Sequence, residues 1–291
     1  MAGAGVNRGE LIARPALRRD NPRAREAPSG IELAGTIESV GEGVTGWAVG
    51  DRVMARGRAC HAEAAVVPAE ALMTSPAGLS DVEAATIPNV FVTAHDALVT
   101  AAGVGAGDSV LITAGSSGVG TAAIQLAARL GAEPVLATTR SPAKAPGLLE
   151  LGATAVIDTT DEGWVATTRA AHGPMGAVID QVGGSLFPHL LAALGVTGRY
   201  VSVGRNDGSA STIDLDLVAR NRLTLIGVTF RTRSEAEALA CSHRFANQFL
   251  AAFDDGGLRP VLDRTFALAD LPAAHQYMLG DSQVGKVVLV P

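Results

Sequence analysis

An apolar run from Ser109 to Ala114 (SVLITA) passes directly into the loop Ala114-Gly115-Ser116-Ser117-Gly118-Val119-Gly120 and out into the helix-forming segment Thr121 to Leu130. No other stretch narrows the choice of fold so far. Glycine lets a turn take positive φ and lets the backbone approach a pyrophosphate, while the N-terminus of the following helix offers N–H donors and partial positive charge. The string departs from the usual G-x-G-x-x-G spacing because Ser117 stands for the middle glycine, so the spelling alone is weak. Its weight comes from its position between a strand and a helix. A plain glycine-rich turn is the alternative, and that context makes it the poorer reading.

The same strand-and-helix grammar continues beyond the loop. Strands are expected at Ser109 to Ala114, Pro134 to Thr139, Ala155 to Asp158, Ala177 to Val182, Arg199 to Gly204 and Leu223 to Thr229. Their near-continuous Val, Ile and Leu content suits parallel strands covered on both faces. Helices fit between them, notably Gly118 to Leu130 and Ser185 to Leu194. This alternation specifies a doubly wound, Rossmann-type parallel sheet in an α/β protein. The first third differs: Glu32 to Val40, Asp51 to Ala55 and Ala62 to Val67 are short β-type runs punctuated by Gly and Pro, which suggests a small irregular β domain. After Asp254-Asp255-Gly256-Gly257 a β-type segment, a short helix around Pro272 to Leu279 and the strand Lys286 to Val290 form a tail too small to fold alone. It is expected to return to the first domain, giving 1–90 with 250–291 as one domain and 91–249 as an inserted one.

Which dinucleotide the loop would hold is decided at the end of the second strand, where an acid would bind the ribose 2′-hydroxyl of NAD. The chain reads Thr139-Arg140-Ser141 and reaches Lys144 one helical turn later, with no acid. Arg140 can pair with a 2′-phosphate, Ser141 offers a hydroxyl and Lys144 a second cation, so NADPH is expected rather than NADH. The alternative is that Arg140 and Lys144 are ordinary surface charges. Gly115, Ser116, Ser117, Gly118, Val119, Gly120, Thr139, Arg140, Ser141, Lys144, Val182 and Gly204 are the expected cofactor contacts.

With 47% apolar and 18% charged residues among 291, the chain can bury a large core and is not a disordered segment. A net charge of -6 argues against a general affinity for nucleic acid or anionic membrane. Arginines gather at Arg14, Arg18, Arg19, Arg23 and Arg25, but the interleaved Pro15, Asp20, Asn21 and Pro22 read as a solvated loop. Cys60 and Cys241 are the only cysteines, too few for a disulfide framework, and no secretory leader or membrane-spanning run is legible, so a cytoplasmic protein is expected.

Taken together, GIELAG at Gly30 to Gly35, GWAVGDRV at Gly46 to Val53, AGSSGVGTAAIQLA at Ala114 to Ala127, LGATAVID at Leu151 to Asp158, DQVGG at Asp180 to Gly184 and VGKVVL at Val284 to Leu289 resemble the medium-chain dehydrogenase/reductase superfamily in order and spacing. The likeness runs nearly end to end and is closest to the quinone oxidoreductase branch. It implies a Rossmann domain inserted in a GroES-like β domain. It also implies that the chain begins at what would be the third strand of that domain, so that N-terminal strands are missing and an edge is left to be covered.

Within that superfamily, zinc alcohol dehydrogenases carry three catalytic ligands. The matching positions here are Asn7, Ile31 and Asn89, and two amides and an isoleucine cannot build a zinc coordination sphere, so no metal is expected. Hydride delivery onto a quinone or an α,β-unsaturated carbonyl, whose electron demand is built in, is the chemistry that remains. The resemblance places Asn7 near the nicotinamide, with a turn-forming role as the alternative, and makes Asn89 and Thr93 second candidates for catalysis. A tyrosine that the branch carries about a turn after the asparagine is Ile12 here, leaving water as the expected proton source, with His61 and His95 read as structural. An enoyl-thioester reductase of polyketide or fatty-acid type, and a non-catalytic NADPH-binding protein of crystallin type, are the alternatives. A homodimer pairing through Leu223 to Thr229 is expected from family habit.

Overall fold

The computed structural model describes residues 1–11 and 29–291. The arginine-rich stretch from Arg14 to Arg25 and Ile12 lie outside the described residues. The chain falls into two units, Met1–Val92 with Glu235–Pro291, and Thr93–Ser234.

The first unit is built on two small sheets. Strands β1 (Ala4–Val6), β2 (Glu32–Thr36), β3 (Arg52–Arg56) and β4 (Leu72–Thr74) come from the N-terminal third. β2, β3 and β4 pair antiparallel, with Gly35 opposite Val53 and Val53 opposite Thr74. The tail supplies β11 (Leu262–Ala267) and β12 (Lys286–Val290), and β12 lies between β1 and β11. Its pairing with β1, Gly5 opposite Val288, is why the last residues rejoin the first. The helix Leu271–Leu279 covers this sheet by burying Ala274 and Met278 against Val6, Val287 and Leu289. The helix Glu235–Phe249, placed by the sequence in the inserted domain, groups with this unit, because Phe245 stacks near Phe91 and Phe253 in an aromatic knot. Ala62 to Val67 is not a strand. The run joins neither small sheet of this unit, and Val66 is 99% exposed.

The second unit is a six-stranded parallel sheet. With β5 (Val110–Ile112), β6 (Val135–Thr139), β7 (Ala155–Asp158), β8 (Met175–Asp180), β9 (Leu194–Ser202) and β10 (Thr224–Gly227), the order is β10-β9-β8-β5-β6-β7. β5 sits between β6 and β8, with Val110 opposite both Val135 and Ala177. Leu111, Leu136, Val178, Leu190 and Leu194 close one core of this unit, which explains the apolar runs. The strand order reverses around β5, so its carboxyl end is the topological switch point at which such sheets bind ligands. β10 is an edge strand. Among the described residues no helix is long and apolar enough to cross a membrane.

Candidate functional site

The loop after β5 is built for close approach. Ala114 takes φ +48°, and a Cβ on Gly120 would lie 2.3 Å from the Ala114 carbonyl oxygen and 2.7 Å from that of Gly115. Only a hydrogen fits there, which keeps the backbone of the helix Gly118–Arg129 against the strand. Ser117 is the N-cap of this helix, its Oγ accepting from the Gly120 N–H at 3.0 Å. The same hydroxyl donates to Gln181 Oε1 at 2.8 Å, and Gln181 Nε2 donates to the Thr113 carbonyl at 2.9 Å. Ser117 therefore does more than replace a glycine: it ties the loop to β8.

Behind the loop lies a buried carboxylate that sequence reading passed over except as part of DQVGG. Asp180, with no exposed surface, accepts from Thr113 Oγ1 at 2.7 Å, from the Val182 and Gly183 N–H groups at 2.9 Å each, and from the Tyr200 hydroxyl. Burial, then the neighbouring Asp180 charge, push the Tyr200 phenol upward, so it stays a protonated donor. Every acceptor position that Asp180 offers is used in fixing the carboxyl ends of β5 and β8. Val182 follows β8 and Gly204 follows the adjacent β9, and the Gly204 N–H donates to the Asp180 carbonyl at 3.1 Å. Thr139 closes β6, buried, and its Oγ1 accepts from the Ser141 N–H at 3.0 Å. Arg140 is exposed, Ser141 and Lys144 half-buried. The expected cofactor contacts thus gather at the carboxyl ends of the adjacent strands β6, β5, β8 and β9.

The first unit holds a second polar cluster. Glu32 opens β2, Lys286 opens β12, Asn7 follows β1, and Asn89 lies in the first turn of the helix Pro88–His95. A Cβ on Gly5 would sit 2.3 Å from Glu32 Oε1, so the carboxylate occupies the space that glycine leaves. Glu32 Oε1 accepts from Lys286 Nζ at 2.6 Å and Asn7 Nδ2 at 2.8 Å, and Oε2 accepts from the Asn89 backbone N–H at 2.7 Å. Lys286 Nζ also donates to Asn7 Oδ1 and the Val6 carbonyl, each at 2.8 Å. Asn89 Nδ2 donates to Asn7 Oδ1 at 2.9 Å. The amide of Asn7 is therefore spent inside the fold, with two donors on its oxygen and the Glu32, Gly5 and Glu10 oxygens around its nitrogen. Asn89 is half-buried and keeps one N–H and an oxygen beyond this network. Thr93, one turn further along that helix and half-buried, is counted with the other unit.

Glu10 and His61 flank the cluster. Glu10 Oε1 accepts from Asn7 Nδ2 at 3.3 Å, and the buried Oε2 has no hydrogen-bond partner among the described residues. His61 Nε2 stands 3.7 Å from that oxygen and 3.3 Å from the Gly5 carbonyl, while Nδ1 lies 2.8 Å from Ser29 Oγ. Burial raises Glu10 to about 7, opposed by the Lys286 charge. Burial lowers His61 to about 4, so the two are not an ion pair at neutral pH despite their proximity. Cys60 is pushed up to about 12, by burial first and then by Glu32 and Glu10. Neither tyrosine joins this cluster: Tyr200 is held by Asp180, and Tyr277 donates to Asp263.

Of the three positions where zinc enzymes of this type carry ligands, Asn7 donates and accepts within the cluster, Asn89 donates to it, and Ile31 offers no donor atom. Among the described residues no group of three or more His, Cys, Asp or Glu is placed to hold a metal ion.

Comparison with known proteins agrees with this architecture. Residues 1–102 match the alcohol dehydrogenase GroES-like domain and residues 118–244 the zinc-binding dehydrogenase family. The spectinabilin polyketide synthase system protein NorB of Streptomyces orinoci is 35% identical over 89% of this chain, and the chain spans only 12% of that protein. A quinone oxidoreductase-like protein 2 homolog of Nematostella vectensis is 28% identical, covering 98% of this chain and 79% of its own length. Among solved structures, an alcohol dehydrogenase superfamily protein from Novosphingobium aromaticivorans is 30% identical with a TM-score of 0.85, covering all of this chain and 90% of its own. The CurK enoyl reductase (26%, TM-score 0.81, 99% and 89% covered) and a mycobacterial protein complexed with NADPH (28%, 0.87, 100% and 90%) share the fold. The chain belongs to the medium-chain dehydrogenase/reductase superfamily, close to its zinc-independent quinone oxidoreductase and enoyl reductase branch.

Proposed function

We propose that the protein is an NADPH-dependent reductase that transfers a hydride to a double bond conjugated with a carbonyl, in a quinone or an α,β-unsaturated ketone. The observation that carries this reading is the donor set of the polar cluster. Within it the Asn89 amide keeps donor capacity to orient a carbonyl and the Glu10 carboxyl can hold a proton, whereas the set offers no ligands for a Lewis acid that would polarise an unactivated alcohol. Bound at the loop after β5, NADPH supplies the hydride. Gly115, Ser116, Gly118 and Val119 line the pyrophosphate, Ser117 and Gly120 set its approach, and Arg140, Ser141 and Lys144 take the 2′-phosphate. Support comes from the structure of the mycobacterial relative, solved with NADPH. The free face of the Asn89 amide, anchored through Asn7, orients the substrate carbonyl, and Thr93 completes the candidate set. An enoyl thioester is the second reading for the acceptor, favoured by the likeness to a polyketide synthase protein and to an enoyl reductase. A homodimer through the edge strand β10, where Leu225 is exposed, fits either reading.

The test is NADPH oxidation by the purified chain against a quinone, a simple enone and an enoyl thioester, with NADH as control. Turnover with NADPH, and loss of the NADPH preference in Arg140→Ala by tenfold or so, supports the reading. Cofactor binding without turnover of any acceptor sinks it in favour of a non-catalytic relative.

A further inference from the structure

Reducing a conjugated double bond requires a proton as well as a hydride, and neither tyrosine stands in the polar cluster. We propose that Glu10, His61 and Ser29 form a proton relay that carries a proton from the buried Glu10 carboxyl to the half-exposed Ser29 hydroxyl, and from there to the reduced substrate. The inference rests on the reductase reading above for its substrate, but not for its proton path.

The geometry allows one direction of transfer with every atom accounted for. Glu10 Oε2 is buried and has no hydrogen-bond partner among the described residues, and the ring nitrogen facing it is His61 Nε2 at 3.7 Å. A carboxyl torsion is soft, so rotation of the Glu10 head closes that gap. When Glu10 is protonated, His61 carries its hydrogen on Nδ1 and donates it to Ser29 Oγ at 2.8 Å. The Ser29 hydroxyl is then free to point outward. When hydride arrives at the β-carbon, the electron pair of the double bond moves to the α-carbon and carbonyl oxygen. Ser29 Oγ gives its proton to that carbanion, His61 Nδ1 gives its proton to Ser29, and Glu10 Oε2 gives its proton to His61 Nε2. The relay ends with Glu10 ionised, His61 neutral with hydrogen on Nε2 and donating to the Gly5 carbonyl at 3.3 Å, and Ser29 donating to Nδ1. Solvent reaching Ser29 reloads it by the reverse path.

The surroundings suit a store that empties and refills near neutrality. Burial lifts Glu10 to about 7, and Lys286 restrains that rise while Glu32 adds to it. Burial keeps His61 neutral, with His275 and Lys286 adding to the effect and Glu32 opposing it, so the imidazole passes a proton without trapping it. Cys60, pushed up by burial and by Glu32 and Glu10, stays a thiol.

The deciding measurement is a pH titration of protein labelled with ¹³C at glutamate carboxyls and ¹⁵N in histidine, followed by NMR without cofactor. A carboxyl titrating near 7 together with a switch of His61 from the Nδ1–H to the Nε2–H tautomer, both lost in Glu10→Gln, is the expected result. A His61 that keeps one tautomer through that range, or no carboxyl titrating there in the parent, overturns the relay whether or not Glu10→Gln folds. Ser29→Ala carries the kinetic arm. Its kcat for an enone should fall about a hundredfold with KM little changed, and unchanged kcat and pH profile overturn delivery through Ser29. A coupled titration in a protein that reduces no acceptor upholds the proton path and refutes the reductase reading instead.

Discussion

Replacing Lys286 by methionine would break the one ion pair that the polar cluster buries. Lys286 and Glu32 have side chains only 5% and 0% exposed, and the ammonium gives three hydrogen bonds, to Glu32 Oε1, Asn7 Oδ1 and the Val6 carbonyl. Methionine fills the space but supplies none of them. Glu32 keeps Asn7 Nδ2 and the Asn89 N–H, so its charge is left half-compensated in a dry site. Removing one partner of a buried pair costs about 3–5 kcal/mol, most of it the penalty on the charge left behind. Urea unfolding of Lys286→Met should show a loss of that size. Adding Glu32→Gln removes the stranded charge, and the double variant should recover at least about 2 kcal/mol relative to the sum of the two single variants. Independent, additive effects, or a loss under about 1 kcal/mol for Lys286→Met, would refute the claim that the pair is buried and mutually dependent. The same substitution removes the charge that restrains Glu10, so the Glu10 carboxyl should titrate at higher pH in Lys286→Met.

Gly120→Ala places a methyl group 2.3 Å from the Ala114 carbonyl oxygen, so the loop must open; NADPH affinity measured by calorimetry should fall at least about tenfold while the far-UV spectrum is kept. Glu10 and His61 have opposite effects on stability as pH changes. Glu10, raised from 4.5 to about 7 on folding, contributes stability that is full below 4.5 and lost as pH rises through 7; His61, lowered from 6.5 to about 4, contributes stability that is lost as pH falls from 6.5 towards 4. The two offset each other in the parent. In Glu10→Gln only the His61 slope remains, and denaturation midpoints should show roughly 3 kcal/mol lost between pH 6.5 and 4.5 beyond the parent's change; parallel curves for the two proteins would be the contrary result.

Much of the inserted domain was legible because its signals are local. A parallel strand covered on both faces must be apolar along its length, and a loop that meets a helix N-terminus must be small. β7 accordingly coincides with the expected range, β6 begins one residue later than expected, and the helix after the loop begins at Gly118 as expected. The β domain was read less well. Ala62 to Val67 has strand-forming residues but pairs with no strand of either small sheet, and pairing partners are not encoded in a run's own composition. The helix Glu235–Phe249 carries a helical pattern, but only the packing of Phe245 near Phe91 says which unit it joins.

The polar cluster divides in the same way. Sequence identified Asn7, Ile31 and Asn89 as residues that cannot build a zinc sphere, because ligand chemistry is a property of residue type. It also set Arg140, Ser141 and Lys144 after a strand with no acid at its end. It placed Asn7 near the nicotinamide, with a turn-forming role as the alternative, and it could not show how fully the Asn7 amide is engaged, since hydrogen-bond saturation cannot be counted along a chain. Residues 7, 10, 32, 61, 89 and 286 meet only when β12 slots in beside β1 and brings Lys286 against Glu32. That meeting spends the Asn7 amide and buries Glu10, because desolvation and hydrogen-bond competition depend on distances that exist only once the strands have paired.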